Sequence, residues 1–208
     1  MNNNYIRDPE EITRRSFNII EREINLEILP KNMRPIASRM IHTCGITELH
    51  NYIDFSKNAV SSGQQALSEG ATIIVDVNMV TAGIDLSALP KNNNILCTLN
   101  DDRTRKISTN TKITRAMAAV DLWQPFLKNS IVVIGNAPTA LFRLLEIIDT
   151  PNNTPALVIA TPPGFVGASE SKEALINDNR GIPFIAVRGR LGGSAMAVAA
   201  LNALARGI

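Results

Sequence analysis

Five short runs of β-branched and aliphatic residues, at 71–75, 95–99, 131–134, 157–159 and 184–187, constrain most strongly what this chain can fold into. Each is too short for a helix and too uniformly apolar for a strand with one wet face. Helical apolar patterns separate most of them. They run through Ile113, Met117, Val120, Trp123 and Leu127, through Leu141, Leu144, Leu145 and Ile148, around 169–176, and along a small-residue segment at 193–206. Strands apolar on both faces, alternating with helices, predict a mainly parallel sheet covered on both sides. Right-handed crossovers then give a three-layer α/β/α doubly wound fold with five strands. Two helices precede it. Asp8, Pro9 and Glu11 make a helix start, followed by Ile12, Phe17, Ile20 and Ile24; residues 36–44 read as a second helix stopped by Gly45. No repeat or linker interrupts the 208 residues, so one domain over 1–208 is expected.

Composition narrows the function classes. Aromatic residues are 4% of the chain, too few for a base-stacking surface, and a net charge of +2 gives no basic field for nucleic acid. Of the 21 basic residues only 7 are lysines, an arginine bias that suits a polyanionic ligand. Cys44 and Cys97 have no C-x-x-C spacing, which argues against a disulfide framework or a zinc site. Residues 1–8 lack the apolar core of a secretion signal and no apolar run could cross a bilayer. A soluble cytoplasmic protein with no membrane contact is expected.

In a doubly wound fold, ligands sit beyond the carboxyl ends of the strands. Three of those ends carry glycine-rich segments, at 135–139, 162–167 and 188–194, each leading toward a helix N-terminus that favours an anion. Singly each is an ordinary tight turn; together they point to a shared ligand edge. The third lacks the G-x-G-x-x-G spacing, and no acidic strand end follows about twenty residues on. With no Walker lysine either, a nucleotide-dependent enzyme has little support. Asp101 and Asp102 read as a solvated loop. His50 reads as a surface residue, whereas His42 shares a helix face with Arg39, three residues earlier. By position alone His42 fits either a cap on the last carbonyls of its helix or acid–base chemistry.

Four ordered blocks, at 38–45, 135–141, 164–172 and 187–196, with Tyr5, Ile6, Arg7, Asp8, Arg15, Ser16 and Phe17 before them, resemble the precorrin-8X methylmutase family of vitamin B12 biosynthesis. The resemblance covers nearly the whole chain. It implies a flavodoxin-like homodimer that moves a methyl group from ring carbon 11 to ring carbon 12 of a polycarboxylate corrinoid, with no cofactor and no protein-bound metal. His42 falls on the family's catalytic histidine, the acid that protonates a ring nitrogen beside the migrating methyl. Ser16, Arg39 and Arg115 fall on positions that grip the substrate, and the stretches around Asn136, Ala137 and Gly164 on those that line the pocket. Arg188 ends a strand on the ligand edge and is expected to meet substrate or a partner protomer. Asn78, where the family often has an acid, and Ala116, where it often has serine, depart from the pattern.

The chemistry is consistent with that resemblance. A 1,5-sigmatropic shift is intramolecular, so an enzyme helps by holding a reactive ring tautomer and placing one acid beside it. An imidazole, which titrates near neutrality, suits that task. Arginines at the rim and apolar walls inside suit the macrocycle, which is expected over the carboxyl edge of the sheet. A non-catalytic corrinoid carrier would use the same arginines but need no acid, so His42 discriminates the two. The small side chains of 193–206 would also allow close packing against a second copy.

Overall fold

The computed structural model describes residues 5–148 and 153–207. Its centre is a six-stranded sheet of β1 (Ile53–Phe55), β2 (Ile73–Val75), β3 (Ile95–Leu96), β4 (Ile131–Ile134), β5 (Leu157–Ala160) and β6 (Phe184–Val187). The spatial order is β1-β6-β5-β4-β2-β3, with β1 antiparallel to β6 and every other pair parallel. The five parallel strands, taken alone, follow the doubly wound order in which the second strand flanks the first and the chain then crosses back. All five expected strands are present. The sixth, β1, is the correction: three residues including Asp54 carry no readable alternation, and pairing with the β6 edge defines the strand.

Alternation along the strands builds two cores. In β4, Ile131 and Val133 face one layer, and Val132 and Ile134 face the other. The first layer holds α1 (Pro9–Glu23), α2 (Arg34–Cys44), α3 (Ala59–Ser68), α4 (Asn78–Gly83) and α9 (Ser194–Ala205). The second holds α6 (Arg115–Val120), α7 (Pro138–Ile147) and α8 (Ala168–Asn177), with α5 (Asp102–Thr111) beside α6. The long helix expected from Ile113 to Leu127 ends early. It stops at Val120, and Trp123 and Leu127 are buried from a turn and a short 3₁₀ segment instead. Asp101 is not in a loop but caps α5, accepting from the Arg103 N–H at 2.8 Å.

Helix α9 is the central helix of its layer. Met196, Ala197, Val198, Ala199, Ala200, Leu201, Ala203 and Leu204 are all buried, against α2, α3, α4 and the sheet. Its small side chains thus serve packing within one chain, which removes the compositional hint of a dimer. At its start, Gly135 follows β4 so closely that a Cβ there would lie 2.8 Å from Ser194 Cα and 2.9 Å from Val80 Cγ2. Gly135→Ala should therefore lower stability by about 1–3 kcal/mol through overpacking, read as a shifted midpoint in urea unfolding at unchanged m-value.

Candidate active site

The groove that contains His42 lies on the outer face of α9, between α2 and α4. Its volume is 390 Å³, and its walls are Arg39, His42 and Thr43 of α2, Met79 and Gly83 of α4, and Ser194, Ala195, Val198, Ala199, Asn202 and Arg206 along α9. Ser194, Val198, Asn202 and Arg206 are four residues apart and so form one row on the helix. The spacing of that row is legible in the sequence, but nothing local marks Asn202 or Arg206 as functional. Met79, Ala195, Val198 and Ala199 make the walls apolar, while Arg39 and Arg206 line the same groove as the imidazole.

His42 sits in the last turn of α2, where capping was the alternative to chemistry. The structure fills that role with other groups. Gly45, in the left-handed conformation, donates its N–H to Ile41 O at 2.8 Å, Thr43 Oγ1 donates to Arg39 O at 2.9 Å, and the Cys44 thiol turns to Ile41 O. The imidazole has no hydrogen-bond partner among the described residues and is exposed to the groove. Its ring is stacked on Phe17 of α1, with centroids 5.0 Å apart and planes 17° from parallel. The Arg39 guanidinium stands over the same Phe17 ring at 5.3 Å. One aromatic side chain therefore orients both groups. Burial, reinforced by the nearby charge of Arg206, pulls the Arg39 guanidinium below its ordinary range.

The other expected residues are scattered around this centre. Ser16 precedes Phe17 on α1, and its hydroxyl donates back to Ile12 O at 2.8 Å. Arg115 opens α6 in the opposite layer, exposed and without an ion pair among the described residues. A 2.7 Å hydroxyl contact between Thr114 and Thr139 places it at the carboxyl edge of the sheet, away from the groove. Arg188 is ion-paired within the chain. It bonds Asp54 on β1 through Nε and Nη2, and Glu173 on α8 through Nη1 at 2.9 Å. Within this chain those carboxylates pair its charge, and its side chain stays 40% exposed at the end of β6.

The glycine-rich ends are likewise tied up within the chain. Asp76, at the end of β2, accepts the N–H groups of Gly135, Asn136 and Ala137 at 3.0, 2.9 and 2.8 Å. Burial pushes this carboxyl up while the three amides pull it down, with burial the larger effect. Gly164 N–H donates to Arg190 O and Gly193 N–H to Thr161 O, which zips the β5–α8 and β6–α9 loops together. A Cβ at Gly192 would come within 2.1 Å of Thr161 O, so only glycine fits there. The amides expected to meet a ligand anion at Asn136, Ala137 and Gly164 thus have protein acceptors. The exposed Asn136 side chain is what that first loop presents to solvent.

Over this fold and this site, the family model for precorrin-8X methylmutase matches residues 11–207. The chain belongs to that family. Its members are isomerases of cobalamin biosynthesis, and the chain is 48% identical over 201 residues to the precorrin-8X methylmutase of Pseudomonas aeruginosa, covering 97% of each. It is 38% identical over 169 residues to the cobalt-precorrin-8 methylmutase of Methanocaldococcus jannaschii, covering 81% of this chain and 77% of that one. The solved precorrin-8X methylmutase of Thermus thermophilus superposes with a TM-score of 0.85 at 36% identity, covering 95% of both chains. In this methylmutase chain no described helix is long and apolar enough to cross a membrane. Among the described residues no group of three His, Cys, Asp or Glu side chains is placed to hold a metal ion.

Lys172 secures the paired loops of this methylmutase. It is fully buried on α8, its Nζ donates to Leu191 O at 2.7 Å, and burial brings its pKa from 10.5 down to about 8. The unfolded chain keeps that proton up to the higher value, so between pH 8 and 10.5 it binds more protons than the folded chain does. Stability from this residue must then rise with pH across that window. In urea unfolding the parent should gain on a Lys172→Met variant as pH rises from 7 to 10; a pH-independent difference between them would contradict this assignment.

Proposed function

We propose that this chain catalyses the 1,5-sigmatropic methyl shift from ring carbon 11 to ring carbon 12 of precorrin-8X, with His42 as the general acid. The observation that carries this reading is an exposed imidazole with both ring nitrogens unbonded, stacked on Phe17 and flanked by arginine in an apolar-walled groove. An acid held this way can give a proton to a ring nitrogen laid against it. The added proton draws electron density from the adjoining carbon framework. The carbon 11–methyl bond then breaks as the carbon 12–methyl bond forms, and the ring nitrogen returns its proton to His42, so substrate and product are isomers and the acid is regenerated. Orientation does the remaining work, since the migrating group and its acceptor belong to one molecule.

A groove of 390 Å³ takes one side of a macrocycle. In this reading the rest extends over the carboxyl edge of the sheet, toward Asn136, the Gly164 loop and Arg115, while Arg39 meets a peripheral carboxylate near the acid. Ser16, which precedes Phe17 on α1, is taken as a further substrate contact on the family resemblance. We assign the metal-free ring as substrate because the 48% identical relative is named for precorrin-8X and the 38% identical one for the cobalt form. Residues 1–208 are taken as one cytoplasmic methylmutase domain that acts as a homodimer, an assembly for which the family resemblance is the support. Light scattering at micromolar concentration should return twice 22.6 kDa, and a monomer mass would remove the dimer.

His42→Ala should fold as the parent does, since the ring is exposed and no backbone group depends on it. Its turnover, followed by the change in corrin absorption, should fall by about two to four orders of magnitude. Affinity for the metal-free product should fall much less. Arg39→Ala and Arg115→Ala should show the opposite emphasis, with weaker binding and a smaller salt dependence. Parental turnover by His42→Ala would make the histidine structural.

A further inference from the structure

Beyond His42 and Arg39, the groove contains a second guanidinium that nothing in the sequence marked. Arg206 follows the last turn of α9 and closes the groove at the end opposite Ser194. Only its Nη2 is engaged, on Asp85 Oδ2 at 2.6 Å; Nε and Nη1 have no partner among the described residues. Arg39 has no carboxylate partner among those residues, and the two arginines are close enough for the charge of one to weaken protonation of the other. Like charges facing one apolar-walled groove, with donors in hand on both, make a site for an anion that bridges them.

Asp85 is the counter-ion already present. Its Oδ1 caps the 3₁₀ turn Leu86–Ala88, accepting from Ser87 N–H and Oγ, and only Oδ2 meets Arg206. Its own N–H donates to Asn202 Oδ1, and Asn202 Nδ2 donates to Gly83 O, so the position of Asp85 against α9 does not depend on the ion pair. Arg206 can therefore turn toward a ligand without loosening the turn.

We propose that Arg39 and Arg206 together grip one peripheral carboxylate of the corrinoid across His42, with Asp85 as the internal counter-ion that competes for Arg206. This rests on the methylmutase reading above and extends it to residues on α9 and the loop after α4. Arg206 is then a binding residue, and Asp85 sets how freely it reaches the ligand. Because asparagine also caps a helical turn, Asp85→Asn removes the competing charge while keeping the local structure.

The test is absorption titration of the purified parent, Arg206→Gln and Asp85→Asn with the metal-free product hydrogenobyrinate at two salt concentrations, with turnover measured alongside. Arg206→Gln should raise the product Kd about tenfold and flatten its salt dependence, while Asp85→Asn should bind at least as tightly as the parent. If the pair is only a structural tie, both variants lose affinity together, and the proposal fails. It fails equally if Arg206→Gln binds like the parent. A parent that neither binds nor converts the corrinoid overturns the methylmutase reading and this inference with it. A parent that does both while Arg206→Gln is silent overturns this inference alone.

Discussion

The Asp76 carboxylate, buried at the end of β2 and holding three successive amides at the start of α7, fixes the geometry on which the rest depends. β2 and β4 are the neighbours at which the strand order reverses, the crevice where a doubly wound fold usually receives its ligand. An internal carboxylate takes the place of an external anion there. The turn after β4 is drawn in, Gly135 comes to rest against the start of α9, and α9 settles deep between the sheet and α2. The open groove is thereby moved outward, onto the far face of α9. An unpaired Asp76 would be costly in this position; three donors and the adjacent helix N-terminus make it tolerable.

On that outer face the imidazole of His42 is left without a hydrogen-bond partner among the described residues. In the last turn of α2, Ile41 O meets the Gly45 N–H and the Cys44 thiol and Arg39 O meets the Thr43 hydroxyl, while the imidazole of His42 is left to Phe17 and the groove. Orientation comes from stacking rather than from a hydrogen bond, which leaves both ring nitrogens open to a substrate. Phe17 also carries Arg39, so an imidazole and a cation are referenced to one ring. The cost of that arrangement is electrostatic, two arginines facing one cavity.

Loops that look alike in sequence do different jobs. The glycines after β4 admit α9, and those after β6 admit Thr161 and let two loops join at Gly193 and Arg190. Lys172 beneath them and Arg188 beside them hold this edge through a carbonyl and two carboxylates. The amides of the glycine-rich edge are thus paired within the chain, and what this edge presents to solvent includes the side chains of Asn136 and Arg115.

The sequence alone determined the five parallel strands, the sandwiching helices, the start of α1 and the stop of α2. Strands buried on both faces, helix caps and glycine stops are local signals, written in adjacent residues. It also placed His42 and Arg39 on one helical face and, through ordered blocks, suggested the family. Tertiary structure decided what each polar group was free to do. The edge strand β1, the capture of Arg188 by Asp54 and Glu173, the capture of the loop amides by Asp76, Arg190 and Thr161, and the meeting of Arg206 with Arg39 all join residues distant in the chain. Such pairings depend on which elements pack together, and a local pattern does not encode them. A side chain can act on a ligand only if no neighbour in the fold has already satisfied it, and that is settled when α9 packs against α2 and the sheet.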